Sequence, residues 1–222
     1  DEYSEHELLK MEKELLGFYL SNHPLSSYSN ILSSLTVSSS DLESAKEDFD
    51  VVVGGIIKSI KNHSTKNGEK MAFVTIEDLE GSFDIVLFPS LYKEYANILE
   101  EDRIIIVKGR YSSNGERKSV TVNELFEPNE AMENLIEGIT ININLIGFTE
   151  NNIDRIHSLI ESYKGNAWVK FIINDPGKFS AEIKAGEKYK VKPGFALLSQ
   201  LNDILGENNI TIVSSLNQYS SN

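Results

Sequence analysis

The stretch from Val51 to Phe126 constrains the fold most, because its apolar residues recur at the two-residue spacing of β-strands. Glycines Gly54 and Gly55 lie inside the first strand and predict a bulge or sharp bend, since glycine has no Cβ to resist coiling. The pair Asn114-Gly115 is typical of a hairpin turn. In chain order the pattern predicts strands at 51–60, 71–76 and 83–88, a helix from Pro89, and strands at 103–111 and 118–126.

Strand, strand, strand, helix, strand, strand is the element order of the five-stranded OB-fold barrel. Such barrels bind single-stranded nucleic acid or oligosaccharide on one face. We therefore expect an α+β chain in three parts. These are N-terminal helices over 1–50 that lead into the barrel, the five-stranded OB-fold β-barrel over 51–127, and a small α/β C-terminal domain over 128–222 with its core at 139–213.

The first fifty residues are predicted to be helical and to pack ahead of the barrel. The run Ser4-Glu5-His6-Glu7 matches a capping box, and an apolar stripe follows it as far as Leu20. A short second helix is predicted between Ser26 and Ser40, and Ser38 is expected to cap another helical turn. The serine-rich stretch 33–40 is interpreted as a linker.

Strands and helices alternate after Ile139, which indicates a small sheet covered on one side. Thr149 can cap a helix, and Gly206 can end another. The predicted elements are strands at 139–145, 168–173, 178–184, 189–191 and 210–213 and helices at 149–163 and 195–205.

The charge of the chain is strongly negative overall but basic in two places. A net charge of −13 argues against a protein that coats DNA along its whole surface. Within the barrel, however, 58–70 holds four lysines and one acid, and 103–118 holds five basic residues and one acid. In an OB barrel these positions fall on the first hairpin loop and on the last two strands, near the rim where a single strand would pass.

Basic and aromatic residues of the barrel are therefore the candidate nucleic-acid contacts. Phe73 lies on one face of the second strand with Met71 and Thr75, but alternation leaves open whether that face is the core or the binding surface. Tyr111 is a candidate stacking platform, with ordinary strand packing as the alternative. The full candidate set is Lys58, Lys61, Lys66, Lys70, Phe73, Arg103, Lys108, Arg110, Tyr111, Arg117 and Lys118, whereas Phe83 and Phe88 are expected in the core.

The sequence gives little support for a disulfide, a metal site or a catalytic site. The chain has no cysteine, so disulfides and thiolate metal sites are excluded, and its four histidines lack the spacing of metal ligands. We expect no catalytic residue, metal or cofactor in this chain. No apolar run reaches membrane-spanning length, so we expect a cytoplasmic protein without a membrane partner. Because the chain begins at Asp1, we expect it to be a fragment of a longer protein.

Four ordered segments of the sequence resemble one family. They are Glu12-Lys13-Glu14-Leu15-Leu16-Gly17 with the following residues to Leu25, and the runs 70–82, 86–89 and 107–110. The set resembles the alpha subunit of bacterial DNA polymerase III, which is a DNA-directed DNA polymerase and a nucleotidyltransferase.

The resemblance implies a division of roles. Polymerase chemistry would use aspartates and magnesium in an upstream palm domain outside this chain. The sliding clamp would bind an upstream glutamine-containing motif, and neither Gln200 nor Gln218 lies in such a peptide. The OB domain is implied to contact single-stranded template DNA, and the C-terminal domain is implied to bind the clamp-loader tau subunit.

Two alternatives stay open at this point. The chain could be a protein-docking or spacer module of the replisome without direct DNA binding, since a fold alone does not fix a function. An anticodon-type tRNA-binding OB domain shares the barrel but would not explain the run from Glu12 to Gly17.

Overall fold

The structure is a computed structural model, and it describes residues 24–45, 48–112 and 118–214. The chain divides into two compact units between Glu127 and Pro128. The predicted N-terminal helix, the Asn114-Gly115 turn and the residues after Ser214 lie outside the described residues.

Within residues 24–45, two short α-helices precede the barrel. A 3-10 turn at Ser26–Tyr28 leads into α1 (Ser29–Leu35), and α2 (Ser39–Ser44) follows. The Ser38 hydroxyl accepts a hydrogen bond from the Asp41 N–H, which confirms the predicted cap. The linker prediction for 33–40 is wrong, because Ser39 is buried at the start of α2 and donates hydrogen bonds to the carboxylate of Asp78 through its N–H (2.6 Å) and its hydroxyl (2.7 Å).

Five strands then close into a barrel with the neighbour order β1-β2-β3-β5-β4. The pairs are antiparallel except β3 with β5, which is parallel and closes the ring. This topology confirms the OB-fold prediction. The elements are β1 (Phe49–Ser64), β2 (Lys70–Glu77), β3 (Ser82–Leu87), α3 (Pro89–Tyr95), β4 (Ile104–Ser112) and β5 (Ser119–Phe126).

The long strand β1 serves two neighbours in succession. Its residues 49–56 pair with β4, and its residues 56–64 pair with β2. Gly55 lies at this change of partner, where a Cβ would come within 2.3 Å of the Glu77 carbonyl oxygen. A register shift follows between Ile57 and Ser59. The predicted glycine bend is therefore confirmed, and its cause is the close approach of the β2 backbone.

The inward residues of the strands form one apolar core. Along β2, Ala72, Val74 and Ile76 are buried, whereas the residues between them are half-buried on the outer face. Residues of α3 and the turn after it, including Tyr92 and Tyr95, pack against this core. Burying one large apolar side chain contributes about 1.5–3 kcal/mol, so the alternating pattern fixes which face of each strand points inward.

The second unit is a four-stranded sheet with helices, in the order β8-β7-β6-β9. Strands β6 and β7 are parallel and joined by a helix, and the outer pairs are antiparallel. The elements are α4 (Pro128–Leu135), β6 (Ile136–Asn144), α5 (Glu150–Ser162), β7 (Lys164–Asp175), β8 (Phe179–Lys184), a 3-10 turn (Glu187–Tyr189), α6 (Phe195–Leu205) and β9 (Ile210–Ser214).

Two details of this unit differ from the prediction. The expected strand at 189–191 is wrong, since Tyr189 ends a 3-10 turn and Val191 makes only isolated bridges with Lys164 and Ala167. Helix α4 was not predicted, because it buries only Ala131 and Met132 and so carries little apolar periodicity.

We expect Gly55→Ala to destabilise the barrel by about 1–3 kcal/mol, because the new methyl group would push against the β2 backbone. Urea unfolding followed by circular dichroism measures the change. Gly186→Ala is the control, since nothing lies within 4 Å of the corresponding Cβ and its φ is −70°. An unchanged unfolding midpoint for Gly55→Ala would contradict the close approach.

Candidate nucleic-acid interface

The outer face of β1, β2 and β3 carries a group of aromatic and basic side chains. Strand register places Lys61 opposite Phe73 and His63 opposite Met71. On the other side of β2, Phe73 lies opposite Val86 of β3. The sequence alone left open whether Phe73 faces the core or the surface. In the structure Phe73 is half-buried on the outer surface and does not lie in the core.

Two rings make contact on this face. The His63 and Phe73 ring centroids are 5.2 Å apart at an interplanar angle of 86°, an edge-to-face arrangement. Phe88 follows β3, shares the outward alternation of Val86, and is 48% exposed. The expectation that Phe88 belongs to the core is therefore wrong. Together His63, Phe73 and Phe88 form what we call the aromatic face.

Three lysines border the aromatic face without acidic partners among the described residues. They are Lys61 on β1, Lys66 in the β1–β2 loop and Lys70 at the start of β2, and all three are exposed. The loop itself is ordered by hydrogen bonds from the Thr65 N–H to the Glu69 carbonyl (2.8 Å) and from the Gly68 N–H to the Thr65 carbonyl (2.9 Å). A defined loop therefore presents the lysines. We call these three the loop lysines.

Three of the remaining candidate cations are paired with carboxylates inside the chain. Lys58 pairs with Glu77, Lys108 with Glu124 at 2.7 Å, and Arg110 with Asp50 at 3.3 Å. Exposed pairs of this kind contribute about 0–1 kcal/mol to stability, but they cancel the local charge. Among the described residues, the first cluster therefore keeps three lysines without a carboxylate partner, whereas Lys108 and Arg110 of the second cluster are paired.

Two further candidates contact other residues of the chain. Arg103 lies 3.3 Å from Glu127 and 3.5 Å from Glu100. The Lys118 ammonium donates to the backbone carbonyl of Glu43 at 2.6 Å. Arg117 lies outside the described residues.

Tyr111 is a core residue, and its proposed role as a stacking platform is wrong. Its side chain is 1% exposed, its hydroxyl donates to the Leu42 carbonyl at 2.7 Å, and its ring packs 5.4 Å from that of Phe49. Burial raises the pKa of the Tyr111 phenol, and the carboxylates of Asp48 and Glu43 add to the shift. Phe83 is half-buried and packs against the same core.

Sequence reasoning missed His63 and Phe88 as members of the face. The signal for His63 was its two-residue spacing from Lys61 along one strand, which places both on one side. For Phe88 the signal was its position directly before Pro89, where β3 ends and the chain turns into α3.

Acidic residues limit the face at its other end. The Thr75 hydroxyl donates to Asp84 at 2.8 Å, and Asp78 accepts bonds from the N–H groups of Glu80 and Gly81 in the β2–β3 turn. A polyanion would therefore be attracted to the loop end of β2 and repelled at the turn end.

Residues 24–45, 48–112 and 118–214 offer neither a metal site nor a membrane-spanning helix. No three side chains of His, Asp or Glu in these ranges are grouped so that they could hold a metal ion. Within the same ranges, no helix is both long and apolar enough to cross a membrane.

Comparison with known proteins bears on the barrel first. Residues 51–128 match the family described as OB-fold nucleic acid binding domain. The mitochondrial single-stranded DNA binding protein Rim1 of S. cerevisiae is a structural neighbour at 11% identity, with a TM-score of 0.32 over 37% of this chain and 95% of that one. At that TM-score the likeness decides nothing about the ligand.

Sequence relatives cover most of the chain. It is 40% identical over 187 residues to the DNA polymerase III subunit alpha of Borreliella burgdorferi, and 30% identical over 195 residues to that of Aquifex aeolicus. These matches span 80% and 86% of this chain. The chain is homologous to a segment of the DNA polymerase III alpha subunit.

The matches cover most of this chain but only a small part of each relative. The alpha-subunit segment corresponds to 16% of the Borreliella burgdorferi protein and 17% of the Aquifex aeolicus protein. The family resemblance stated from the four sequence segments is confirmed. Both relatives are named as DNA polymerase III alpha subunits.

We expect Tyr111→Phe to cost about 1 kcal/mol at neutral pH, because the hydrogen bond to Leu42 is lost while the ring is kept. Because the folded-state pKa of Tyr111 is raised, its contribution is complete below the unfolded pKa of about 10 and is lost as the pH rises through the folded value. The difference between wild type and variant should therefore shrink above about pH 10.

Urea midpoints measured between neutral and alkaline pH test this expectation. The pKa of Tyr95 is also raised, first by burial, and this residue titrates in both proteins, so both should lose stability at high pH. A difference that stays constant with pH would show that the Tyr111 phenol is not held neutral by the fold.

Proposed function

We propose that the OB unit of this alpha-subunit segment binds single-stranded DNA on the outer face of β1, β2 and β3. The observation that carries the proposal is that the loop lysines lie at the end of β1 and β2 that carries His63, with Lys61 opposite Phe73 of the aromatic face. Either feature alone is common on protein surfaces. Together they match the two requirements of single-strand binding, which are base stacking and phosphate neutralisation.

Electrostatics favour one end of this face. Lys61, Lys66 and Lys70 have no carboxylate partner among the described residues, so their charge is available to phosphates. The paired cations of β4 would have to give up Glu124 and Asp50 before binding. We therefore assign the first phosphates of the bound strand to the loop lysines and not to Lys108 or Arg110.

Stacking provides the second part of the interaction. Phe88 is exposed, and Phe73 is supported from the side by the His63 ring. Every base has a π-face, so stacking tolerates any sequence and suits a template strand. A net charge of −13 opposes binding of a polyanion, so the isolated chain should bind at about micromolar strength or weaker.

The proposal extends to the longer protein. We propose that it is a DNA-directed DNA polymerase that uses magnesium at a site outside this chain, and that the OB unit holds the template strand near that site. For residues 128–222 we propose docking to the clamp-loader tau subunit. The support for docking is the concentration of exposed large apolar side chains in this unit, among them Leu145, Ile146 and Phe179.

The deciding experiment is fluorescence anisotropy of a labelled single-stranded oligonucleotide titrated with the chain, beside the same sequence as duplex, at low and moderate salt. Saturable binding that prefers the single strand and weakens with salt supports the proposal. Absence of binding at low salt would leave the barrel as a spacer. A folded tRNA is titrated in parallel, and tighter binding of the tRNA would favour the anticodon-type alternative.

We expect the triple variant Lys61→Gln, Lys66→Gln and Lys70→Gln to flatten the salt dependence. Each neutralised phosphate adds about 0.7 to the slope of log K against log salt for single strands, so the slope should fall by about 2. The control is Lys58→Gln, Lys108→Gln and Arg110→Gln, which changes the net charge equally but removes paired cations. Equal flattening in both variants would contradict the assignment to the loop lysines.

We expect Phe73→Leu with Phe88→Leu to weaken binding about tenfold or more without changing the salt slope. Leucine keeps apolar bulk but cannot stack, and stacking is worth about 1–3 kcal/mol per base. Leu79→Ala is the control, because Leu79 is 52% exposed in the β2–β3 turn at the acidic end of the face. An unchanged dissociation constant for the double variant would remove the aromatic face from the contact surface.

A further inference from the structure

The sheet of the second unit ends in an exposed strand. Among the described residues β8 pairs with β7 only, and five of its six residues are exposed. The Ala185 N–H donates to the Val169 carbonyl at 2.9 Å, which fixes the hydrogen-bonded positions of the antiparallel pair. By alternation, the backbone groups of Ser180, Glu182 and Lys184 point away from β7 and have no strand to pair with.

One face of this strand is apolar and uncovered. Register places Ile183 opposite Phe171 and Phe179 opposite Asp175, on the same face as the buried Ile139 and Ile141 of β6. Near the middle of the sheet this face is buried, but at β8 it is open, since Phe179 is 53% and Ile183 is 49% exposed. The apolar layer therefore continues past the last strand.

Further exposed apolar residues lie at the same end of the sheet. In a β-α-β unit the helix runs back along the strands, so the start of α5 lies over the carboxyl ends of β6 and β7. Ile153 is there, 56% exposed and one turn before the buried Ile156. The Leu145 N–H donates to the Asn174 carbonyl at 2.9 Å, which holds the β6–α5 loop beside the β7–β8 hairpin.

Around β8, among the described residues, the carboxylates are paired but two lysines are not. Its nearby carboxylates are all paired: Asp175 with Lys178, Glu182 with Lys170 and Glu187 with Lys190. Lys184 is the last residue of β8, and Lys188 lies in the 3-10 turn that follows. Neither has a carboxylate within ion-pair distance among the described residues. Lys184 lies 5.7 Å from the Trp168 ring centroid, and Lys188 lies 4.6 Å from that of Tyr189.

We propose that β8 is the docking edge for an extended acidic segment of a partner protein, which adds to the sheet as a fifth strand. Its alternate apolar side chains would continue the layer of Phe179 and Ile183, and its acidic side chains would face Lys184 and Lys188. Main-chain bonds to Ser180, Glu182 and Lys184 would fix its register. Lysines on an exposed edge strand disfavour pairing with most other strands. An acidic strand is attracted by the same lysines, so they would select for it.

This inference rests on the proposed function of residues 128–222, and it names the surface and the chemistry of the contact. The probe is the purified clamp-loader tau subunit, titrated against the full chain by calorimetry. We expect Phe179→Ser with Ile183→Ser, and separately Lys184→Glu with Lys188→Glu, to weaken binding about tenfold or more. The matched control is Lys93→Glu with Arg155→Glu, which reverses two exposed cations that the proposed contact does not use and should bind as the wild type does.

Hydrogen exchange supplies the readout that tests strand addition itself. On binding, the amides of Ser180, Glu182 and Lys184 should exchange at least about tenfold more slowly, since they gain main-chain partners. Amides of the central strand β6 serve as the folding control for every variant.

The outcomes separate the two proposals. If tau does not bind the wild-type chain, the docking function fails and this inference fails with it. If tau binds with unchanged affinity for the β8 variants and no protection of the three amides, the docking function stands and the β8 site is overturned. Protection of these amides by a single-stranded oligonucleotide, and not by tau, would also overturn the proposal, because the surface would then serve nucleic acid.

Discussion

The double pairing of β1 is the constraint on which the first unit depends. A single strand of 16 residues pairs with β4 along its first half and with β2 along its second, and the change is possible because Gly55 admits the Glu77 carbonyl. Pairing with β4 ends at Ile56, so the later part of β1 extends beyond β4 with β2 as its partner. Lys61 and His63 lie on that extension. The same bend that closes the barrel therefore also builds the surface on which we place the DNA.

The number of basic residues in a segment does not show how much positive charge a ligand can meet, because some of these residues form ion pairs. Counting along the sequence finds more basic residues near β4 than near the first loop. The fold reverses that ranking, because Lys108 and Arg110 meet Glu124 and Asp50, which are 16 and 60 positions away. Contacts at such separations depend on strand register, and register follows from the tertiary structure. The loop lysines form no ion pair among the described residues. Glu69 is the one acidic residue in the segment 61–70 that contains them.

Alternation, glycines and caps were enough to predict the barrel, the order of its elements along the chain and most elements of the second unit. They were not enough to predict which way a ring points. Phe73 lies on the outer face because its neighbours Ala72 and Val74 fill the core, and alternation alone is symmetric between the two choices. Tyr111 lies inside because its hydroxyl finds the Leu42 carbonyl, 69 positions away, so that burial leaves no phenol unsatisfied. The short helix α4 escaped notice since it buries only two side chains.

The barrel exposes side chains, whereas the sheet of the second unit also exposes the main chain of its last strand. This difference favours two kinds of partner. The barrel has no free edge in its strand order, so what it offers a ligand is side chains on a curved face, which suits bases and phosphates. The second sheet ends at β8, so it also offers main-chain groups, which a nucleic acid cannot pair with in register but a polypeptide can. In both units the feature that we propose for recognition is lysine charge without a carboxylate partner among the described residues. A chain of net charge −13 can therefore present two local attractions for anionic partners, with the surrounding acidity excluding ligands that do not reach those lysines.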